Sequence, residues 1–112
     1  MVYRVDTSRN IIVFRPSGRI DISNAQEFES ILDKLMVLNP KHSFIIDLEK
    51  IEYFSSSALR VIITTYRKLH EASLGMILLR PTGICMKILE ITKLDEVIEI
   101  YDSEMDAINA LN

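Results

Sequence analysis

A chain of 112 residues and 12.9 kDa has the size of one compact domain, which argues against a multidomain enzyme or a channel. Hydrophobic residues make up 48% and charged residues 26%, with only 3 Gly and 3 Pro, so the chain can build a core and lacks the composition of a disordered segment. Thirteen basic against 16 acidic side chains leave a net charge of -3, so no general attraction to nucleic acid is expected.

In chain order, Tyr3 and Val5 alternate with Arg4 and Asp6, and the apolar run Ile11–Phe14 follows Ser8-Arg9-Asn10. That pattern predicts a β-hairpin, with Pro16 and Gly18 expected to interrupt its second strand. Ser23 or Asn24 is placed to cap a first helix, whose buried stripe is Ala25, Phe28, Ile31, Leu32, Leu35 and Met36. Asn39-Pro40 ends it, because the residue before a proline is pushed out of helical geometry. Phe44–Leu48 then has the unbroken apolar character of a central strand.

Ser55-Ser56-Ser57 opens a second helix with Leu59, Ile62, Ile63, Tyr66 and Leu69 inward and Arg60, Arg67 and Lys68 outward. Met76–Leu79 reads as a further buried strand and Pro81-Thr82-Gly83 as a turn. A third helix is expected to put Ile84, Ile88, Leu89 and Ile91 on the core side. Val97–Tyr101 makes a last strand. Ser103 with Asp106 three residues later starts a C-terminal helix carrying Met105, Ile108 and Leu111. The order β, β, α, β, α, β, α, β, α predicts a single α/β domain over residues 1–112, with a mixed sheet, an N-terminal hairpin and four helices. Unequal helix cover would leave one sheet face partly open.

The chemistry-bearing residues are few. The single Cys85 cannot form an intramolecular disulfide and has no neighbours at metal-ligand spacing, so a reducing compartment fits and a buried, inert thiol is expected. His42 and His70 sit in polar contexts, are expected at the surface, and are both distant in sequence from the serines, which disfavours a serine hydrolase. Gly18, Gly75 and Gly83 make no phosphate loop, so neither a cofactor nor intrinsic ATP chemistry is expected. Residues Met1–Asp6 lack the pattern of a leader, and no run approaches the roughly 20 apolar residues that cross a bilayer. A cytoplasmic protein without direct membrane insertion is therefore expected.

The serine triplet stands out, because a helix start needs one cap and here carries three hydroxyls. The plain reading is a cap with polar neighbours. The chemical alternative is a phosphoserine, since free N–H groups and the positive helix end stabilise added negative charge. Asp21, in Gly18-Arg19-Ile20-Asp21, is a carboxylate beside the loop before the first helix, and the plain reading is that it helps cap that helix.

Gly18–Asp21, Ile45-Ile46-Asp47-Leu48 and the stretch Ile51–Val61 together resemble a STAS domain of the anti-sigma-factor-antagonist type, and the element order agrees over nearly the whole chain. The resemblance implies a non-catalytic partner-switching regulator that binds an anti-sigma factor with serine kinase activity, is switched off by phosphorylation, and is reset by a phosphatase. It implies Ser56 as phosphoacceptor, with Ser55 and Ser57 as neighbouring hydroxyls, and Asp21, Ser55, Ser56, Ser57, Ala58 and Arg60 as the partner-binding surface. Ala58 stands where the family often has glycine, and Ser55 where aspartate is common. An alternative within the same fold is an accessory subunit of an ABC-type lipid-transport complex, in which the serines serve packing.

Overall fold

The computed structural model describes all residues, Met1–Asn112. Strands β1 (Val2–Ser8) and β2 (Ile11–Ile20) form the expected hairpin around a two-residue turn, with Arg9 at a φ of 56°. Positive φ in the turn supplies the twist that tight hairpins favour. Helix α1 (Ala25–Leu38), β3 (Ser43–Asp47), β4 (Ile51–Phe54), α2 (Ser56–Glu71), β5 (Met76–Leu79), α3 (Gly83–Ile91), β6 (Glu99–Tyr101) and α4 (Glu104–Leu111) follow, with one 3₁₀ turn at Leu94–Glu96. The strands lie in the order β1-β2-β3-β5-β6, antiparallel only at the hairpin, and β4 pairs with β2. The mixed sheet, hairpin and four helices agree with the sequence pattern. No helix is long and apolar enough to cross a membrane.

Two expectations about strands need correction. Strand β2 is not interrupted at Pro16 and Gly18 but runs on to Ile20, and Ile51–Phe54 is a sixth strand that the sequence reading omitted. One geometric fact explains both. Even-numbered residues of β2 direct their backbone polar groups away from β1, as the bond from the Gly18 N–H to the Lys50 carbonyl (2.9 Å) shows. On that side β3 pairs with Ile11–Phe14 and β4 with Gly18–Ile20, so Pro16 falls between the two ladders, where its missing N–H costs no ladder bond. Gly18, at a φ of 88°, sits at the register shift where the β4 pairing begins.

Alternation divides the core. Ile12, Phe14, Phe44, Ile46, Leu48, Met76 and Leu78 face α1, α2 and α3, while Ile11, Val13, Ile45, Ile77 and Leu79 face α4 through Ala107, Ile108 and Leu111. Cover of the two faces is thus unequal, three helices against one. In α2, Leu59, Ile62 and Leu69 are buried as expected, whereas Ile63 and Tyr66 are only partly so. In α3 the buried residues are Cys85 and Leu89; Ile84 and Ile91 are 56% and 80% exposed, contrary to expectation. This nine-residue helix buries only two residues, and Ile84 and Ile91 lie at its two ends, beyond that stripe. Met105 and Val97 are likewise exposed. Val97 drops out of β6, which begins only at Glu99. His70 is exposed as expected, but His42 is half-buried, with its Nδ1 out of solvent contact at the entry to β3.

The α4 face also carries an ion network. Arg15 on β2 donates to Asp6 (2.7 Å), to Asp47 on β3 (2.9 Å) and to both carboxylate oxygens of Glu104 at the start of α4 (2.7 and 3.1 Å). Arg80 after β5 donates to the same Asp47 oxygen at 3.1 Å. Asp47 is nearly buried, at 6% side-chain exposure, and its carboxylate faces both guanidinium groups. Asp47→Ala removes one charge-assisted hydrogen bond from each guanidinium, while Arg15 keeps Asp6 and Glu104 and Arg80 keeps Glu104 and Glu49; it is expected to lower the unfolding free energy by about 2 kcal/mol in urea titration. The hydrogen bond from Arg15, reinforced by its charge, holds the Glu104 carboxyl below its ordinary range. Its stabilisation is therefore present above the unfolded-state pKa and lost as pH falls through the lower folded value. Glu104→Gln is expected to flatten the loss of stability below about pH 4 in acid titration followed by circular dichroism.

Candidate functional site

The expected site residues meet at the carboxyl ends of β2 and β4. Ile20 and Phe54 are register partners, and the Ser55 N–H donates to the Ile20 carbonyl at 2.9 Å. The loop into α1 and the start of α2 therefore leave the sheet side by side. The end of a strand followed by a helix N-terminus is a position from which open α/β sheets present ligand-binding groups.

Asp21 begins the first loop. Its carboxylate accepts from the Ser23 N–H (2.9 Å) and hydroxyl (2.5 Å), and its carbonyl accepts from the Ala25 N–H (2.9 Å). Bonds from Ser23, with the Arg19 charge nearby, hold the carboxyl below its usual range, so Asp21 presents a fixed negative charge. Asn24 is the residue preceding α1, but its side chain serves the loop. It accepts from the Asp21 N–H (2.8 Å) and donates to the Arg19 carbonyl (2.9 Å). The helix cap expected at Ser23 or Asn24 is thus a backbone arrangement, stiffened by the Asn24 amide.

The three serines divide the work. Ser55 is extended (φ -84°, ψ 175°) and its hydroxyl accepts from the Ala58 N–H at 3.3 Å, which makes it the cap of α2. Ser56, the first helical residue, is exposed, while Ser57 is half-buried. The first turn of α2 contains no acidic residue, so the positive helix end is not neutralised there. Ala58 is fully buried in the main core, so its methyl group packs inward and offers no surface to an approaching molecule. Arg60 is exposed and enters no ion pair.

Two further features of this corner escaped the sequence reading. Ile22, between Asp21 and Ser23, is 83% exposed, and the Arg19 guanidinium lies 4.7 Å from the Tyr53 ring centroid on the adjacent strand. An isoleucine flanked by an aspartate and a serine in a predicted loop was the available signal for the first; the second requires the unpredicted β4.

The larger recesses lie elsewhere: about 470 Å³ between the ends of α1 and α2, including Met36, Val37 and Leu74, another of about 470 Å³ between Glu49–Glu52 and the start of α3, and about 360 Å³ beside Arg15 and Arg80. None includes Asp21 or the serines. His70 closes the far end of α2, about 21 Å along the helix axis from Ser56 at 1.5 Å per residue, and His42 enters β3 at the opposite sheet end. Neither imidazole can take a proton from Ser56. Cys85 is buried, and desolvation pushes its thiol up, against weaker opposing bonds from Thr82. The corner offers a charged carboxylate, a free hydroxyl at a positive helix end, and an exposed isoleucine: groups suited to holding a partner surface. Ser55→Ala is expected to cost about 1 kcal/mol of stability through loss of the cap. Ser56→Ala should leave the melting curve nearly unchanged, a contrast that thermal unfolding by calorimetry reads directly.

Comparison with known proteins adds to this geometry. The STAS domain model matches residues 3–107. The chain is 21% identical over 103 residues to the anti-sigma F factor antagonist of Paenibacillus polymyxa, covering 92% of this chain and 88% of that protein. An anti-sigma factor antagonist from Mycobacterium paratuberculosis superposes with a TM-score of 0.87 at 24% identity, over 98% of this chain and 92% of the other. The Bacillus cell fate determinant SpoIIAA, solved in its phosphorylated form, superposes with a TM-score of 0.75 at 18% identity, over 99% of this chain and all of the other.

Proposed function

The chain belongs to the STAS domain family, and from that premise we propose that it is an anti-sigma factor antagonist whose partner is released by phosphorylation of Ser56. One observation carries the choice of residue: of the three adjacent hydroxyls, Ser55 is engaged as the cap, Ser57 is half-buried, and Ser56 is exposed on the first turn of α2. A kinase can reach that hydroxyl without opening the fold. The names of similar proteins support the antagonist role, and the phosphorylated form of SpoIIAA supports a covalent switch on this fold.

The physics of the switch is local. A phosphoserine adds about -1.5 to -2 charge, which the free N–H groups and dipole of α2 tolerate within the domain. In an interface the same group must be desolvated and repels acidic partner groups, as does the fixed charge of Asp21. Ile22 supplies apolar contact beside it, and Arg60 a rim cation that steers association. The partner on this reading is an anti-sigma factor with serine kinase activity, and a phosphatase restores the free hydroxyl.

The test is a pull-down from source lysate with wild-type, Ser56→Ala and Ser56→Asp baits, with partners and bait phosphorylation identified by mass spectrometry. Wild type and Ser56→Ala are expected to retain a kinase-like anti-sigma factor, with phosphate on Ser56 of wild type only, and Ser56→Asp is expected to lose it. Equal capture by all three baits would overturn the switch. Capture of an ATPase with its permease instead would overturn the antagonist reading.

A further inference from the structure

Strand β1 ends the sheet, and its outer edge is free. Even-numbered residues of β1 face the odd-numbered residues of β2 that point toward them, in the pairs Val2↔Ser17, Arg4↔Arg15, Asp6↔Val13 and Ser8↔Ile11. In an antiparallel ladder the intervening residues Tyr3, Val5 and Thr7 therefore direct their N–H and C=O groups outward. No turn, loop or side-chain bond reaches those groups. The edge contains no proline and no bulge, two of the devices that commonly blunt such strands, and its charged side chains, Arg4 and Asp6, are one of each sign. Val2, Tyr3 and Val5 on it are 73%, 42% and 37% exposed.

The sequence of this edge is complementary to itself. Only residues with outward-pointing groups can exchange bonds, so an antiparallel copy must set odd residues against odd ones. Three registers give substantial overlap. One opposes Arg4 to Arg4 of the copy, and another opposes Asp6 to Asp6. The third centres on Val5 and pairs all of β1: Tyr3 meets Thr7, Val5 meets Val5, and Arg4 meets Asp6 twice across the two-fold axis. The Arg4–Asp6 positions are then non-hydrogen-bonded pairs, where side chains approach most closely. Both side chains lie on the same sheet face, 3.2 Å apart within one strand.

From this self-complementarity we infer that the protein forms a symmetric dimer through β1, with the sheet continuous across the two copies and Val5 on the axis. The partner is a second copy of this chain. The interface is isologous and closes, so it limits at two subunits and leaves no free edge on β1.

Sedimentation velocity of the full chain over a concentration series tests this. Wild type is expected to show a reversible monomer–dimer equilibrium. Arg4→Asp or Asp6→Arg alone each sets like charges opposite one another twice and should weaken association roughly tenfold or more. Mixing the two single variants should restore a dimer, because each charge then meets its opposite. Val5→Pro removes an outward N–H without touching the bonds to β2, and should abolish the dimer with the circular dichroism spectrum unchanged. Amide exchange should show Tyr3, Val5 and Thr7 gaining protection as concentration rises. A monomer at every concentration, or a dimer indifferent to these substitutions, would overturn the inference; if Asp6→Arg does not fold, Val5→Pro and the exchange pattern decide.

Discussion

The geometry of this domain depends on strand β2, which serves three partners at once. Along one edge it pairs with β1, and along the other with β3 over its first half and β4 over its second. A ten-residue strand is long enough for that division, and the proline in its middle makes the division nearly free, because the donor it lacks falls between the two ladders. From this one strand follow the hairpin, the crossover through α1 to β3, and the adjacency of the β2 and β4 ends. Asp21 and Ser55 are neighbours for that reason alone. They lie 34 positions apart in the chain, and one backbone bond from Ser55 to Ile20 joins their strand ends.

The two sheet faces are stabilised by different means. On the three-helix side, aromatic and branched side chains dominate, with Thr65 of α2 the buried polar residue among them; the Phe14 and Phe28 rings, for example, stack at 6.1 Å. On the α4 side the apolar cluster is small, and Arg15 extends the contact by binding carboxylates from β1, β3 and α4. Such a network fixes orientation more than it adds net stability, since desolvating its charges costs nearly what their attraction returns. Its role here is to seat α4 on the barer face. The serine corner lies at the opposite extreme of that logic. Its hydroxyls and carboxylate meet solvent on a stiff frame of short loops, so a charge added at Ser56 would alter a surface and leave the fold in place.

Much of this was legible in the residues. The short apolar runs Ile11–Phe14 and Phe44–Leu48 and the 3.6-residue stripes of α1 and α2 identify buried elements, because burial on two faces gives an unbroken run and burial on one helix face gives that period. The Ser103–Asp106 cap was equally plain, and its hydroxyl does accept from the Asp106 N–H at 3.2 Å. The failures have a common cause. Ile51–Phe54 is four residues long and stabilised by a distant strand end, and β2 persists past Pro16 only because of what does and does not pair beside it. Likewise Ile84 and Ile91 look like core residues by type, but α3 is short and covers the sheet with one stripe.

What the sequence determined by itself is the set of elements whose signal is local: apolar periodicity, a proline that ends α1, a hydroxyl that starts α2, and the motif around Ser56. Nearest neighbours in the chain carry that information, so no fold is needed to read it. Only the tertiary structure decided which of three equivalent serines is spent on the cap and which is free, and that Ala58 turns inward. It also decided which backbone groups of β1 have no partner. These depend on strand register and on pairing between residues far apart in the chain, and a one-residue change of register would exchange buried and exposed groups throughout.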